Sequence, residues 1–303
     1  MAESADNLIL VGGEALYDLV PTGDEELRAH PGGGPFNTAR TIARLGERVA
    51  YLGRLSSDRF GATLRRMLGE DGVLLDAVVD TEDPTTLALA EVDLDGSAVY
   101  RFYEGGTSAP GLTPEAALAA LPPNIGLLHV GTFGFEPLSA ALEAVVDALA
   151  DRALIAVDPN VRPVRVTEGY RARLDRVIAR SDVVKLSEDD LAWMEPGAHP
   201  RALLDRGPTA VLLTRGAAGA LVVGAGGEVE IPAPKAKVVD TIGAGDAFGG
   251  AFLAWWRSRG LSRDRLADLD TVAEGARFAA LVAAVTCERP GASPPRLGEL
   301  PTA

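Results

Sequence analysis

"VVDTIGAGDAFGGAF", residues 238–252, runs from a glycine-rich turn into an apolar helix pattern with one carboxylate, Asp246, at the join. Gly243 and Gly245 allow a tight turn and close backbone approach. The helix that follows offers its first N–H groups to an anion. Asp246 therefore either caps its own helix, as aspartate commonly does, or meets a ligand there. Two familiar phosphate motifs do not fit. No lysine follows the glycines as a Walker loop demands, and Phe248 stands where G-x-G-x-x-G needs its third glycine. Phosphoryl transfer to an alcohol does fit: it needs a carboxylate to orient the hydroxyl and accept its proton, beside donors that neutralise the phosphoryl group.

Outward from that motif, β-rich runs alternate with helical patterns. "NLILVGG" leads to a helix from about Phe36 to Leu45, "RVAYLGRL" to one from about Phe60 to Gly69, and "GVLLDAVVD" follows. The rhythm resumes with "GLLHVGT", a helix near 138–150, "ALIAVDPN", a helix near 169–179, "DVVKLS" and "TAVLLTRG", and closes with helices near 246–258 and 271–287. This pattern predicts an α/β fold, a doubly wound and mostly parallel sheet with helices on both faces. Two stretches break it. Residues 85–103 read as a hairpin around Asp95-Gly96, and residues 14–30 as short strands around "PTGD". Neither brings a crossover helix, so the two predict a small β lid, about 14–31 and 85–105, within a single domain spanning 1–303. Exposed lid edges predict pairing with a second copy as a homodimer.

Composition narrows the partners. The 303 residues include 43 acidic against 29 basic side chains, a net charge of −14 that repels nucleic acid and anionic membrane. A hydrophobic content of 47% supplies a large core. The single cysteine, Cys287, permits no internal disulfide and fits a reducing compartment. The opening "MAESADNLILVGG" has neither the basic start nor the long apolar region of a secretion signal, which predicts a cytoplasmic protein. Residues 116–135 carry no formal charge and approach a membrane span in length, but Pro122, Pro123, Asn124 and glycines break the run into a helix and a buried strand. His30, His129 and His199 are too scattered to suggest a metal site.

"DTIGAGDAFGGAF" resembles the C-terminal motif of the ribokinase/fructokinase family of sugar kinases, the phosphofructokinase-B type, and "GGGPFNTARTIARLG", residues 32–46, is similar to that family's N-terminal glycine-rich motif. The resemblance implies a ribokinase-like fold and in-line transfer of the γ-phosphoryl of ATP, with Mg2+, to a sugar hydroxyl. Asp246 then takes the role of catalytic base, and Gly243, Ala244 and Gly245 provide an anion hole. On the sugar side the resemblance implies Asp18, Gly33, Gly34 and Asn37, with Arg101 reaching over from the lid and Asp158 and Arg162 from "DPNVRP". Bland readings stand beside three of these: a lid-turn residue for Asp18, a helix cap for Asn37 and a solvated side chain for Arg101.

On the nucleotide side, "VVKLSEDDL" resembles a family segment ending in N-x-x-E, here Ser187 and Asp190, which helps to hold magnesium. Lys185 either faces phosphate or is solvated. "TRGAAGAL" resembles the family's T-x-G-x-x-G, with Thr214, Gly216 and Gly219 in place, and "VTCERPGASPP" is similar to the loop over adenine, which puts Cys287 and Gly291 near the base. Asp240 matches a side chain that holds a monovalent cation, K+, in family members. "GEALYDLVP" and "DPNVRP" look most like fructokinases. A 2-keto-3-deoxygluconate kinase, then a ribokinase or nucleoside kinase, are the alternatives, and a sugar- or nucleotide-binding regulator without activity is the alternative of another class.

Overall fold

The computed structural model describes residues 8–23, 25–92, 98–133, 135, 138–161 and 168–301. The chain opens with β1 (Leu8–Gly12), then β2 (Leu16–Pro21), β3 (Leu27–Gly32), α1 (Gly34–Arg44), β4 (Val49–Ser56), α2 (Arg59–Asp71) and β5 (Val78–Thr81). β6 (Leu87–Val92), β7 (Ala98–Tyr103), α3 (Pro114–Ala119), β8 (Ile125–Gly131), α4 (Leu138–Leu149), β9 (Leu154–Asp158) and α5 (Glu168–Ala179) follow. The last part holds β10 (Val183–Ser187), α6 (Glu188–Met194), β11 (Ala210–Thr214), β12 (Ala220–Gly224), β13 (Gly227–Ile231), α7 (Ala244–Ser258) and α8 (Leu269–Cys287).

Nine strands make the main sheet, in the order β13-β12-β11-β10-β9-β8-β1-β4-β5. Pairing is parallel from β5 through to β11 and antiparallel for β12 and β13. Helices cover both faces, so the central strands are apolar along their whole length; every residue of β1 is buried. One core lies between the sheet and α4 and α5, around Leu10, Val130, Leu142 and Leu174. The other lies beneath α1, α7 and α8, around Val11, Phe36, Phe252 and Trp256. β1 has β4 on one side and β8 on the other, so the winding reverses there. In open α/β sheets such a reversal leaves a crevice beyond the carboxyl ends of the strands, and ligands bind in it.

The two stretches outside the α/β rhythm form the second sheet, of four strands in the order β3-β2-β6-β7. β2 and β6 run parallel and join two antiparallel hairpins. The expected Asp95-Gly96 turn lies outside the described residues. Tyr17 anchors this sheet to α2 through Phe60, ring centroids 4.3 Å apart. Asp58, the cap of α2, also accepts from the Thr85 amide at 2.8 Å and its hydroxyl at 2.6 Å, which fixes the start of β6.

Several elements differ from the sequence reading. "GVLLDAVVD" is a strand only at its end, since Leu74 makes a single bridge to Ala50 before β5 begins. The β12–β13 hairpin extends the sheet past β11, and α6 is an additional short helix after β10. No described helix is long and apolar enough to cross a membrane.

Helix starts separate into two kinds. α2, α6 and α8 have side-chain caps from Asp58, Ser187 and Asp268. α1 and α7 begin after Gly33 and Gly243, which have no side chain to accept from the first-turn amides. These two helices lie side by side because Gly250 brings them close: a Cβ there would sit 2.9 Å from both the Thr38 carbonyl oxygen and the Thr41 Cβ. Gly250→Ala should force the helices apart and lower stability by about 1–3 kcal/mol, the usual scale for overpacking, as read by urea denaturation.

Candidate active site

A cavity of about 980 Å³ opens at the reversal point and extends from beneath the small sheet, past the start of α7, to the β11–β12 turn. Asp246 lines its middle. α7 starts at Ala244, so Asp246 lies in the first turn and is not the cap. Asn37 Nδ2 donates to its carboxylate at 2.9 Å, and the Thr38 hydroxyl donates to its carbonyl at 3.4 Å. Both donors come from the first turns of α1, so the two uncapped helices meet at this carboxylate.

The surroundings of Asp246 are equally specific. A Cβ on Gly34 would lie 3.3 Å from Asp246 Oδ1, 3.1 Å from Asn160 Nδ2 and 3.7 Å from Thr132 Oγ1. Asn160 Nδ2 donates to Thr132 Oγ1 at 3.0 Å, and the Thr132 amide to the Asp158 carbonyl at 3.2 Å. Thr132 and Asn160 hold φ values of 58° and 40°, which non-glycine residues, and β-branched threonine above all, seldom adopt. Such strain persists only where the neighbourhood over-determines it, and it concentrates at ligand sites. Asn37 Oδ1 is buried without a hydrogen-bond partner, an acceptor that a bound hydroxyl would satisfy.

The small sheet covers one end. Asp18, Tyr100 and Phe102 line the cavity, and Phe102 meets Phe135 edge-on, centroids 5.4 Å apart. Strand alternation puts Arg101 on the face away from Tyr100 and Phe102, where it is exposed. Arg162 lies outside the described residues.

Beneath the first turn of α7 sits a buried ion pair. Lys185 Nζ donates to Asp158 Oδ2 at 2.7 Å, and a Cβ on Gly245 would meet that ammonium at 3.1 Å. Lys185 is 9% exposed, so the solvated reading does not hold, and it lines the cavity while Asp158 does not. Burial raises the Asp158 carboxyl to about 6; Lys185 draws it down, and Asp190 and Asp246 push it up. Burial opposes the charge on Lys185, but Asp158 and then Asp246 more than offset this and raise its pKa.

The far end is built from turns. Ser187 and Asp190 form a capping box at the start of α6. Asp190 accepts from the Ser187 amide at 2.9 Å, its hydroxyl at 2.6 Å and the Val161 amide at 2.7 Å, so both carboxylate oxygens hold protein donors. Thr214 closes β11 with a hydroxyl bond to the Leu186 carbonyl, and Gly216 and Gly219 follow at φ 52° and 89°. A Cβ on Gly219 would sit 2.0 Å from the Ile231 carbonyl oxygen, so only glycine lets this turn lie flat against β13. Asp240 binds the Ile242 amide at 3.0 Å and the Gly291 amide at 2.8 Å, and so joins the loop before α7 to the loop after α8. Cys287 lines the cavity, and burial followed by Asp240 pushes its thiol pKa up; Gly291 and Asp240 stand outside the cavity wall.

Glu14, Tyr100, Phe102 and Thr132 line this cavity without having stood out in the sequence. A carboxylate directly after a buried strand was a readable signal for Glu14, and aromatics two apart in "VYRFY" were one for a shared face. Nothing local marked Thr132, whose place depends on β8 and β9 meeting.

Comparison with known proteins matches most of the chain. The profile of the pfkB family carbohydrate kinases matches residues 6–297. The chain is 33% identical to a fructokinase of Rhizobium leguminosarum bv. trifolii over 276 residues, which covers 87% of this chain and 84% of that one. The structure is similar to that of a fructokinase from Xylella fastidiosa with bound ATP, at 26% identity and a TM-score of 0.84, over 98% of this chain and 95% of the other. It is also similar to a fructokinase of Vibrio cholerae O395 bound to fructose, ADP and a calcium ion, at 25% identity and a TM-score of 0.81, over 95% of each chain. A double mutant of that protein holds fructose, ADP and a potassium ion.

The ion pair makes a linked prediction. Lys185→Met should leave Asp158 as an uncompensated buried charge and lower stability near pH 7.5 by about 3–5 kcal/mol. With the ammonium gone, the folded-state carboxyl pKa rises further above its unfolded 3.8, so the folded state binds the proton more tightly. The deficit relative to wild type should therefore shrink as pH falls from 7.5 through 6, as denaturant titrations at several pH values would record.

Proposed function

The chain belongs to the pfkB family of carbohydrate kinases, and we propose that the sugar it phosphorylates is fructose and that Asp246 is the base of the reaction. It is an enzyme that transfers a phosphoryl group from ATP to a sugar. The observation that carries the residue assignments is the meeting of two uncapped helix starts at one carboxylate, held at 2.9 Å by Asn37.

In this reading the sugar lies beneath the small sheet, against Asp18, Gly33, Gly34 and Asn37, with one hydroxyl on Asp246. Asp246 orients that hydroxyl and takes its proton late, as a loose transition state requires. The first-turn amides of α7, around Gly243, Ala244 and Gly245, receive the phosphoryl oxygens, and buried Lys185 adds positive charge below them. ATP extends from there along Ser187 and Thr214 to the Gly216–Gly219 turn, with its base toward Cys287 and Gly291.

Mg2+ takes most of its oxygens from phosphate and water, so it needs few protein carboxylates. Asp190, whose oxygens already hold protein donors, would act on it through water. When bound, the ion neutralises charge on the phosphate oxygens. K+ is proposed beside Asp240, which ties down the loop before α7.

The four-stranded sheet acts as a lid, and its closure excludes water from the transfer. Its outward face carries Leu27 and Tyr103, 55% and 50% exposed, and a second copy of the chain covers it in a homodimer. The net charge of −14 and the lone cysteine support a cytoplasmic setting.

Asp246→Asn should keep ATP binding but lower kcat by about 10²- to 10⁴-fold, the scale of a positioned acid/base group. Steady-state assays of wild type with ketohexoses, keto-deoxy acids, pentoses and nucleosides should give the highest kcat/KM for fructose. Near-normal turnover in the variant would remove Asp246 from the mechanism, and a higher kcat/KM for another class would replace the substrate.

A further inference from the structure

α1 begins without a cap of its own, yet its first amide is not left to solvent. The Gly34 N–H donates at 3.1 Å to Oε1 of Glu14, which lies 20 residues earlier, two residues past the end of β1. Glu14 is 3% exposed. A carboxylate placed there satisfies an otherwise orphaned donor and offsets the positive end of the helix. Pro35, next along, has no N–H, and the Asn37 amide already donates to the Gly33 carbonyl at 3.0 Å. Glu14 thus serves a first-turn amide that the helix itself cannot.

The two loops fit together through missing side chains. A Cβ on Gly33, at φ 106°, would lie 2.6 Å from the Glu14 carbonyl oxygen. A Cβ on Gly13, at φ 149°, would strike Pro35 Cγ at 2.2 Å. Each loop has a glycine where the other passes, so the Glu14–Gly34 contact is locked from both sides.

We propose that Glu14 caps α1 from a distance and is thereby the positioning residue for Asn37 and Asp246. Gly34 faces Asp246 Oδ1, and Asn37, one turn into the helix, holds the same carboxylate. A frayed first turn would displace both. The inference rests on Asp246 as base, but capping itself can be read without turnover.

The test compares Glu14→Ala with Glu14→Gln, since glutamine keeps the acceptor oxygen and loses the charge. In Glu14→Ala, hydrogen exchange of amides in 34–40 should quicken about tenfold, while Glu14→Gln exchanges like wild type. Glu14→Ala should lower kcat about 10- to 100-fold and raise the KM for fructose, as small misplacements of reacting groups do, with the Kd for ATP unchanged. Glu14→Gln should restore kcat to within about threefold of wild type.

Wild-type exchange in Glu14→Ala overturns the cap whatever the role of Asp246. Altered exchange with unchanged kinetics overturns the positioning role and leaves the Asp246→Asn result to judge the base. A Glu14→Gln enzyme as impaired as Glu14→Ala also overturns the proposal, because the charge and not the acceptor would then be required. If Glu14→Ala does not fold, Glu14→Gln decides alone: wild-type exchange and kinetics support the proposal, and a loss of either overturns it.

Discussion

A hydrogen bond of 2.9 Å from Asn37 to Asp246 joins residues 209 positions apart, and the geometry of the site depends on the two helix starts that it brings together. Neither helix has a side-chain cap from its own N-cap residue, and each begins after a glycine with positive φ. Gly250 sets how closely the helices lie, and the reversal of winding at β1 sets where they point. Backbone donors and a carboxylate therefore face one crevice with little mobile side chain between them. That is the arrangement an electrostatically preorganised transfer site requires, since donors fixed beforehand need no rearrangement as charge develops.

Charge in the interior follows the same logic. The protein as a whole is acidic, at −14, and lysine occurs only at positions 185, 235 and 237. The one among them in the core, Lys185, lies under the first turn of α7 against Asp158 and feels Asp246 and Asp190 as well. A buried ion pair is weak support for stability, because desolvation offsets much of the attraction. Its place directly below the crevice accords better with a role in holding phosphate charge. Asp158 is drawn into that pair rather than toward the cavity.

The small sheet solves a different problem. Its strands leave the main chain at two places, and β2 pairs parallel with β6 to make one surface. Asp18, Tyr100 and Phe102 face the cavity, while Tyr17 on the opposite face fastens the sheet to α2. One polar group among aromatic rings suits a sugar, whose hydroxyls need acceptors and whose C–H faces need apolar cover.

The sequence by itself determined the class of fold, because alternating apolar runs and helical patterns allow little besides a wound parallel sheet. It also determined the place of Asp246 after two glycines, because turn chemistry is local, and it marked "GGGPFN" and "TRGAAG" as close-approach loops for the same reason. Tertiary structure alone decided which groups share the cavity. Arg101 turns outward by strand alternation, Asp158 is taken by Lys185, and Asp190 is engaged by its own helix start and the Val161 amide. Glu14 and Thr132 enter because β1, β8 and β9 end side by side. These outcomes depend on register and on which strand lies beside which, and those are set by packing across more than a hundred residues, which no short stretch of sequence encodes.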